Sequence, residues 1–139
     1  MFNYANLNDV EFEYLCQDIM QKKLNVELHR FARGRDGGID LTDDAHSKNI
    51  IVQVKHYMNS SVSQLITSLE GEAKKVAQLS PKEYYVCCSK PLSPQKVDEV
   101  YQLFSAFMSS TSNIMTLNEI DDFLNEPANA DILERHYKL

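Results

Sequence analysis

The segment from Phe31 to Lys55, FARGRDGGIDLTDDAHSKNIIVQVK, constrains the fold more than any other part of the chain. It holds three of the four glycines, so tight backbone turns concentrate near its start. Two strands are predicted after these glycines, one over residues 39–42 and a second over residues 50–55. Side chains alternate between the two faces of a strand, so Gln53 and Lys55 share one face.

Gln53 and Lys55 are polar side chains on an otherwise apolar strand. Burying an amide without a partner costs roughly 2–7 kcal/mol, so polar neighbours are expected. Asp40 lies near the start of the preceding strand and would lie across from the pair if the two strands are neighbours. A carboxylate, an amide and an ammonium around one point suit a divalent metal and the charge that develops on a phosphate. This trio is the candidate site.

A helix predicted over residues 8–23 carries a further candidate acidic residue for the site. Asn8 and Glu11 have the spacing of a capping box, and apolar residues follow at helical spacing. Glu13 lies beside the apolar stripe, and Asp9 lies one turn earlier on the same line. Spacing alone does not choose between Asp9 and Glu13, or between a functional acid and a solvated helix edge.

Three short motifs together resemble the PD-(D/E)xK nuclease superfamily, and in particular its Mrr-like restriction endonuclease branch. The motifs are Asp36-Gly37-Gly38-Ile39-Asp40, Gln53-Val54-Lys55, and Phe12-Glu13 on the preceding helix. They lie in roughly the first two-thirds of the chain. The resemblance favours Glu13 over Asp9 as the functional acid.

The resemblance implies a catalytic centre made of Glu13, Asp40, Gln53 and Lys55. Asp40 and Gln53 would bind Mg²⁺, with help from Glu13 and the backbone carbonyl of Val54, and Mn²⁺ is expected to substitute. Lys55 would lie beside the attacked phosphate. Glutamine in place of an acid removes one negative charge from the usual superfamily pattern, although the Mrr-like branch itself uses glutamine here.

Basic residues near the motif are candidate contacts for double-stranded DNA. Arg33 and Arg35 flank Asp36, and the arginine fork suits phosphate binding, but solvated surface charges explain them equally well. Asp36 either binds metal or caps the following glycine turn, and turn-capping or support of the site is favoured. The full set of candidate DNA contacts is Arg33, Arg35, Lys48, Lys74 and Lys75.

The predicted elements follow the order α-β-β-β-α-β-α-β-α. Short polar links between the first three strands predict an antiparallel meander, and helices lead to the later strands. The fold class is therefore α/β, with a mixed central β-sheet flanked by helices, which matches the restriction-endonuclease-like core. Outside the motif segment, the predicted strands cover residues 25–32, 84–89 and 114–117, and a helix covers residues 60–79.

Bulk properties fit one soluble domain over residues 1–139, either a whole protein or the amino-terminal part of a longer one. The net charge of −6 argues against a protein that simply coats nucleic acid. No apolar run is long enough for a membrane span, and the amino terminus lacks the pattern of a secretory signal. The three cysteines lack a zinc spacing and are expected to be buried and reduced, as in a bacterial cytoplasmic protein.

The leading hypothesis is a Mg²⁺-dependent DNA endonuclease. By resemblance, it would be the effector domain of a bacterial anti-phage defence protein, working as a homo-oligomer or fused to an NTPase or sensor module. One alternative is a catalytically degenerate nuclease fold that serves binding or assembly. Another is a junction resolvase, for which a strongly basic surface would be expected.

Overall fold

The computed structural model describes residues 2–31 and 39–139, and within these ranges the chain forms five α-helices and five β-strands. Through α4 the order of elements is the predicted one, and α5 follows it. The helices are α1 (Asp9–Leu24), α2 (Val62–Leu79), α3 (Pro94–Phe104), α4 (Leu117–Asn125) and α5 (Ala130–Arg135). The strands are β1 (His29–Arg30), β2 (Leu41–Thr42), β3 (Ile50–Lys55), β4 (Glu83–Cys88) and β5 (Ile114–Met115).

The five strands form one mixed sheet in the order β1-β2-β3-β4-β5. The β1–β2 and β2–β3 pairs are antiparallel, and the β3–β4 and β4–β5 pairs are parallel. Antiparallel neighbours can be joined by short links, whereas parallel neighbours need a crossover, which α2 and α3 supply. The predicted fold class, a mixed sheet flanked by helices, is confirmed.

Strand lengths differ from the prediction at the edge of the sheet. Residues 25–32 were expected to form the first strand, but only His29–Arg30 pairs with β2. Asn25 instead adopts a left-handed conformation with φ of 54° and ends α1, its N–H donating to the Gln21 carbonyl. The local sequence pattern does not reveal this helix end, because a polar residue such as Asn25 fits both a left-handed helix cap and the start of a strand.

The sheet carries a hydrophobic cluster on each face, and β3 contributes to both. Val52 packs in the cluster that holds the apolar stripe of α1, whereas Ile51 packs in the cluster that holds the apolar faces of α2 and α3. The predicted alternation of β3 side chains is therefore confirmed. Gln53 and Lys55, on the Ile51 face, point toward α2.

The capping box predicted for α1 is present, and we expect it to stabilise the protein. The Asn8 side chain accepts from the Glu11 N–H at 2.8 Å, and the Glu11 carboxylate accepts from the Asn8 N–H at 2.9 Å. Replacing Asn8 with alanine should destabilise the protein by about 1 kcal/mol, measured by urea unfolding. Asn59→Ala, at an exposed loop position, is the matched control and should change the free energy of unfolding little. If Asn8→Ala and Asn59→Ala had the same free energy of unfolding, the capping role of Asn8 would be contradicted.

The three cysteines, Cys16, Cys87 and Cys88, are all buried free thiols. Burial raises the pKa of the Cys88 thiol to about 12 and that of Cys16 well above its usual range. Their predicted burial is confirmed, and thiols held protonated in this way are poor nucleophiles. Within the described residues, no helix combines the length and hydrophobicity needed to span a bilayer.

Candidate active site

A cleft of about 210 Å³ opens where β3 ends, between α1 and the start of β2. The predicted site residues Glu13, Asp40, Gln53 and Lys55 all line this cleft. It is completed by Asp9, Val54, His56 and Tyr57. The fold therefore gathers residues from α1, the start of β2 and β3 that are far apart in sequence.

Asp40 is held against β3 by two hydrogen bonds to one of its oxygens. The pairing of Leu41 with Val52 places Asp40 beside Gln53. Its Oδ2 accepts from Gln53 Nε2 at 2.8 Å and from the Val54 N–H at 2.7 Å. Among the described residues, none donates to the second oxygen, Oδ1. The predicted approach of Asp40 to the Gln-x-Lys strand is thus present, with one carboxylate oxygen left for another partner.

The surroundings of Asp40 disfavour its charged form. Burial raises the pKa of its carboxyl group to about 6, and the nearby charges of Glu13 and Glu72 add to the rise. The Val54 N–H hydrogen bond and the Lys55 charge act in the opposite direction. A carboxylate that is costly to ionise gains by binding a cation, so the electrostatics fit a site for positive charge.

Gln53 connects Asp40 to Tyr84 on the neighbouring strand. Its amino group faces Asp40, and its Oε1 accepts from the Tyr84 hydroxyl at 3.3 Å. Both side chains are buried, and burial keeps the pKa of Tyr84 well above its usual range, so the hydroxyl stays a donor. The oxygen that a metal would need is directed at Tyr84, so ligation by Gln53 stays a prediction. Tyr84 was missed by sequence reasoning, which treated residues 84–89 only as a buried strand.

Glu13 is buried and paired with an arginine from β1. Its Oε2 accepts from Arg30 Nε at 3.2 Å and from an Arg30 terminal nitrogen at 2.9 Å. The Arg30 guanidinium in turn lies 3.8 Å from the centre of the Tyr14 ring. Asp9 also borders the cleft but is exposed. Glu13 is therefore the acid that the fold holds in place, and Arg30 is a site neighbour that the sequence analysis did not assign.

Lys55 extends from β3 into the region between the cleft and α2. Its Nζ lies 4.0 Å from Glu72 Oε1, and the same oxygen lies 3.4 Å from Lys75 Nζ. Glu72 was absent from the predicted site. A signal for it exists in the sequence, because Glu72 follows Leu65 by seven and Leu69 by three positions, on the apolar stripe of α2.

His56 borders the cleft but its ring is anchored elsewhere. Its Nε2 lies 2.7 Å from the Leu7 carbonyl, which can only accept, so this nitrogen carries a proton. The ring stacks on Phe12 with centroids 4.5 Å apart. These contacts tie the end of β3 to the start of α1 and give His56 a structural role.

The residues present fit a hard divalent cation such as Mg²⁺ or Mn²⁺. Within the described part of the chain, no three acidic, histidine or cysteine side chains converge as a metal cluster. Mg²⁺ usually keeps several waters and needs only one or two carboxylates. Asp40 Oδ1 and the Val54 carbonyl are suitable oxygens in the cleft, and Glu13 is placed to act directly or through water.

The candidate DNA contacts are less well grouped than the central residues. Lys75 pairs with Glu72, and Lys74 is exposed beside it on α2. Lys48 lies in the loop before β3 with a positive φ of 48°. The predictions for Arg33, Arg35 and Asp36 fall outside the described residues. The grouping of these bases as a DNA-binding surface therefore stays a prediction.

Comparison with known proteins was consistent with this geometry. A family model described as restriction endonuclease, the Mrr catalytic domain, matches residues 4–89 and so includes all four central residues. An uncharacterized protein, y4cD, of Sinorhizobium fredii (strain NBRC 101917 / NGR234) is 24% identical over 123 residues. That alignment covers 88% of this chain and 19% of the relative, so the chain spans about a fifth of the relative's length. No solved structure matches the chain.

The family match extends over well more than half of the chain, from the turn before α1 to the end of β4. It contains the strand that carries Gln53 and Lys55, the aspartate that pairs with that strand, and the helix that brings Glu13 to the cleft. The mixed sheet agrees with the predicted fold class, and the cleft is lined by Glu13, Asp40, Gln53 and Lys55. With the match covering the cleft and most of the sheet, this chain belongs to the Mrr-type restriction endonuclease family.

Proposed function

We propose that this chain is a Mg²⁺-dependent endonuclease that hydrolyses phosphodiester bonds in double-stranded DNA. The observation that carries the proposal is the convergence of Asp40, Gln53, Lys55 and Glu13 on one cleft. The residues that line the cleft supply carboxylate and carbonyl oxygens and an ammonium group, a combination that suits metal-dependent phosphodiester hydrolysis. A divalent ion bound there would lower the pKa of a water molecule and offset charge on the phosphate.

Each residue of the cleft has a role under this proposal. Asp40 presents its Oδ1 to the cation, while Gln53 and the Val54 N–H hold the other oxygen and set the carboxylate orientation. Glu13, fixed by Arg30, adds negative charge near the same point. Lys55 offers a positive charge to the phosphate oxygens as charge develops on them.

Plasmid cleavage tests the proposal. With Mg²⁺ or Mn²⁺, the wild-type protein should nick or linearise supercoiled DNA, and EDTA should stop the reaction. Asp40→Asn and Lys55→Met should each lower the rate at least about 100-fold, because the first removes the carboxylate proposed to bind the cation and the second removes the positive charge proposed to offset charge on the phosphate. Asp98→Asn, an exposed acid on α3, is the matched control and should cleave as the wild type does.

Cleavage that survives both central substitutions would place the activity elsewhere or in a contaminant, and the assignment would be wrong. Two strands usually need two active sites, so protein concentration should be varied. If no protein concentration gives cleavage, calorimetry with Mg²⁺ distinguishes an enzyme that needs a partner from a degenerate nuclease fold. Binding that Asp40→Asn abolishes indicates an enzyme that needs a partner, and no binding indicates a degenerate fold used for assembly.

We also propose that the domain works within a longer protein. The relative from Sinorhizobium fredii is about five times as long as the segment matched here. A role as the effector of a bacterial anti-phage defence protein, in the cytoplasm, is the expectation that follows from the family resemblance. Survival of phage challenge by cells that carry the full-length gene, compared with cells that carry the Asp40→Asn variant, would test that role.

A further inference from the structure

Glu72 is an acid on the buried face of α2. The buried residues of this helix are Leu65, Leu69, Glu72 and Val76, which recur every three or four positions. Glu72 is only 8% exposed, so it occupies a core position in a row that is otherwise apolar. A buried carboxylate is unfavourable without a positive or hydrogen-bonding partner.

The partners of Glu72 are two lysines, and neither satisfies it completely. Its Oε1 lies 3.4 Å from Lys75 Nζ and 4.0 Å from Lys55 Nζ. Its Oε2 is buried and has no hydrogen-bond partner among the residues that the structure describes. Two cations therefore share one oxygen, while the second oxygen is left without a hydrogen bond.

Lys55, like Glu72, is largely buried and incompletely paired. Its side chain is 13% exposed, and within the described ranges Glu72 is the carboxylate within ion-pair distance of its ammonium group. At 4.0 Å the two charges attract, but the separation is too long for a hydrogen bond. As far as the described residues are concerned, the ammonium group is thus held by charge while its N–H donors stay available.

The two residues have different positions relative to the cleft. Lys55 lines it together with Asp40 and Gln53, whereas Glu72, on α2, is not among the lining residues and lies 4.0 Å from the lysine ammonium group. A negative charge 4.0 Å from the ammonium group of a lysine, which stands on a flexible four-carbon stem, limits the directions in which that group can point.

We propose that Glu72 is a positioning residue that holds the Lys55 ammonium group at the cleft, ready to contact a DNA phosphate. The inference deepens the proposed nuclease function and rests on it. When Lys55 engages a phosphate, Lys75 remains beside Glu72 and offsets its charge. Lys75 would then support the site by remaining the partner of Glu72 when Lys55 turns to the phosphate, in addition to any contact of Lys75 with DNA.

Cleavage kinetics test this role through Glu72→Gln, which keeps the shape of the side chain and removes its charge. The rate constant kcat should fall roughly 10-fold, because a mispositioned Lys55 no longer meets the phosphate reliably. The KM for DNA should stay nearly unchanged, since Glu72 does not contact the substrate. Glu70→Gln, two residues away on the exposed side of the same helix, is the control and should leave both constants unchanged.

A spectroscopic readout that needs no activity completes the test. The ¹⁵N resonance of the Lys55 ammonium group, assigned with Lys55→Met and recorded at low temperature, reports its surroundings. Glu72→Gln should shift this resonance or speed its proton exchange, and Glu70→Gln should not. Thermal unfolding of each variant confirms that it is folded. Glu72→Asp, which withdraws the charge by one methylene, is the second variant if Glu72→Gln does not fold and should move the resonance in the same way.

The outcomes separate this inference from the proposed function. A lower kcat together with a changed Lys55 resonance supports the positioning role. A wild-type kcat, or an unchanged resonance in folded Glu72→Gln, would overturn it. If the wild-type protein neither cleaves DNA nor binds Mg²⁺, the proposed function fails, and the resonance alone decides whether Glu72 holds Lys55.

Discussion

Asp40→Asn should make the protein more stable at pH 8 while abolishing its activity. The raised pKa of Asp40 means that ionising this carboxyl group costs folding free energy. A rise from 3.8 to about 6 corresponds to at most about 3 kcal/mol, and partial exposure to water reduces the expected gain to about 1–2 kcal/mol. Asparagine is uncharged, and its oxygen can still accept from Gln53 and from the Val54 N–H.

The pH dependence of this effect has a definite sign. The folded state binds the Asp40 proton more tightly than the unfolded state, so the wild type loses stability as pH rises from about 4 to above 6. The advantage of Asp40→Asn should therefore be absent below pH 4 and complete above about pH 7. Thermal melts across this range should show a gain in Tm of about 5 °C at pH 8.

Mg²⁺ supplies a control within the same measurement. The ion should raise the Tm of the wild type, since a ligand that binds the folded state stabilises it, and should leave Asp40→Asn unchanged. Asp98→Asn, an exposed acid, should follow the wild type with and without Mg²⁺. An Asp40→Asn protein that is less stable than the wild type at pH 8 would contradict the account of Asp40 as a buried acid that is costly to ionise without a cation.

Arg30→Met should destabilise the protein by about 2–3 kcal/mol. Glu13 is 7% exposed, and Arg30 supplies both hydrogen bonds to its Oε2. Removing one partner of a buried ion pair leaves an uncompensated charge, which costs about 3–5 kcal/mol. Arg30 is 24% exposed, so water compensates part of this loss. Urea unfolding measures the change.

The double variant Glu13→Gln, Arg30→Met provides the decisive comparison. Because it removes the buried charge together with its partner, it should regain most of the stability that Arg30→Met loses. Cleavage should not return with stability, because Glu13 itself is proposed to act in the cleft. If the double variant is as unstable as Arg30→Met, the loss comes from missing arginine packing against Tyr14 and not from an unpaired acid.

Local signals in the sequence were sufficient for the framework of the fold. The capping box at Asn8 and Glu11 marked the start of α1, and the alternation of residues 50–55 placed Gln53 and Lys55 on one face of β3. Both depend on residues within a few positions of each other. The edge strands were predicted too long, because strand ends depend on how far a partner strand extends.

Sequence by itself determined the order of elements and the faces of β3, since these follow from short-range patterns, and it predicted the approach of Asp40 to Gln53 on the condition that their strands pair. Tertiary structure alone decided that pairing and the neighbours of these residues: Arg30 on Glu13, Tyr84 on Gln53 and Glu72 beside Lys55. Each of these contacts joins separate elements across 17 or more residues. Periodicity places a side chain on a face, but only the packing of helix on sheet decides which charge it meets there.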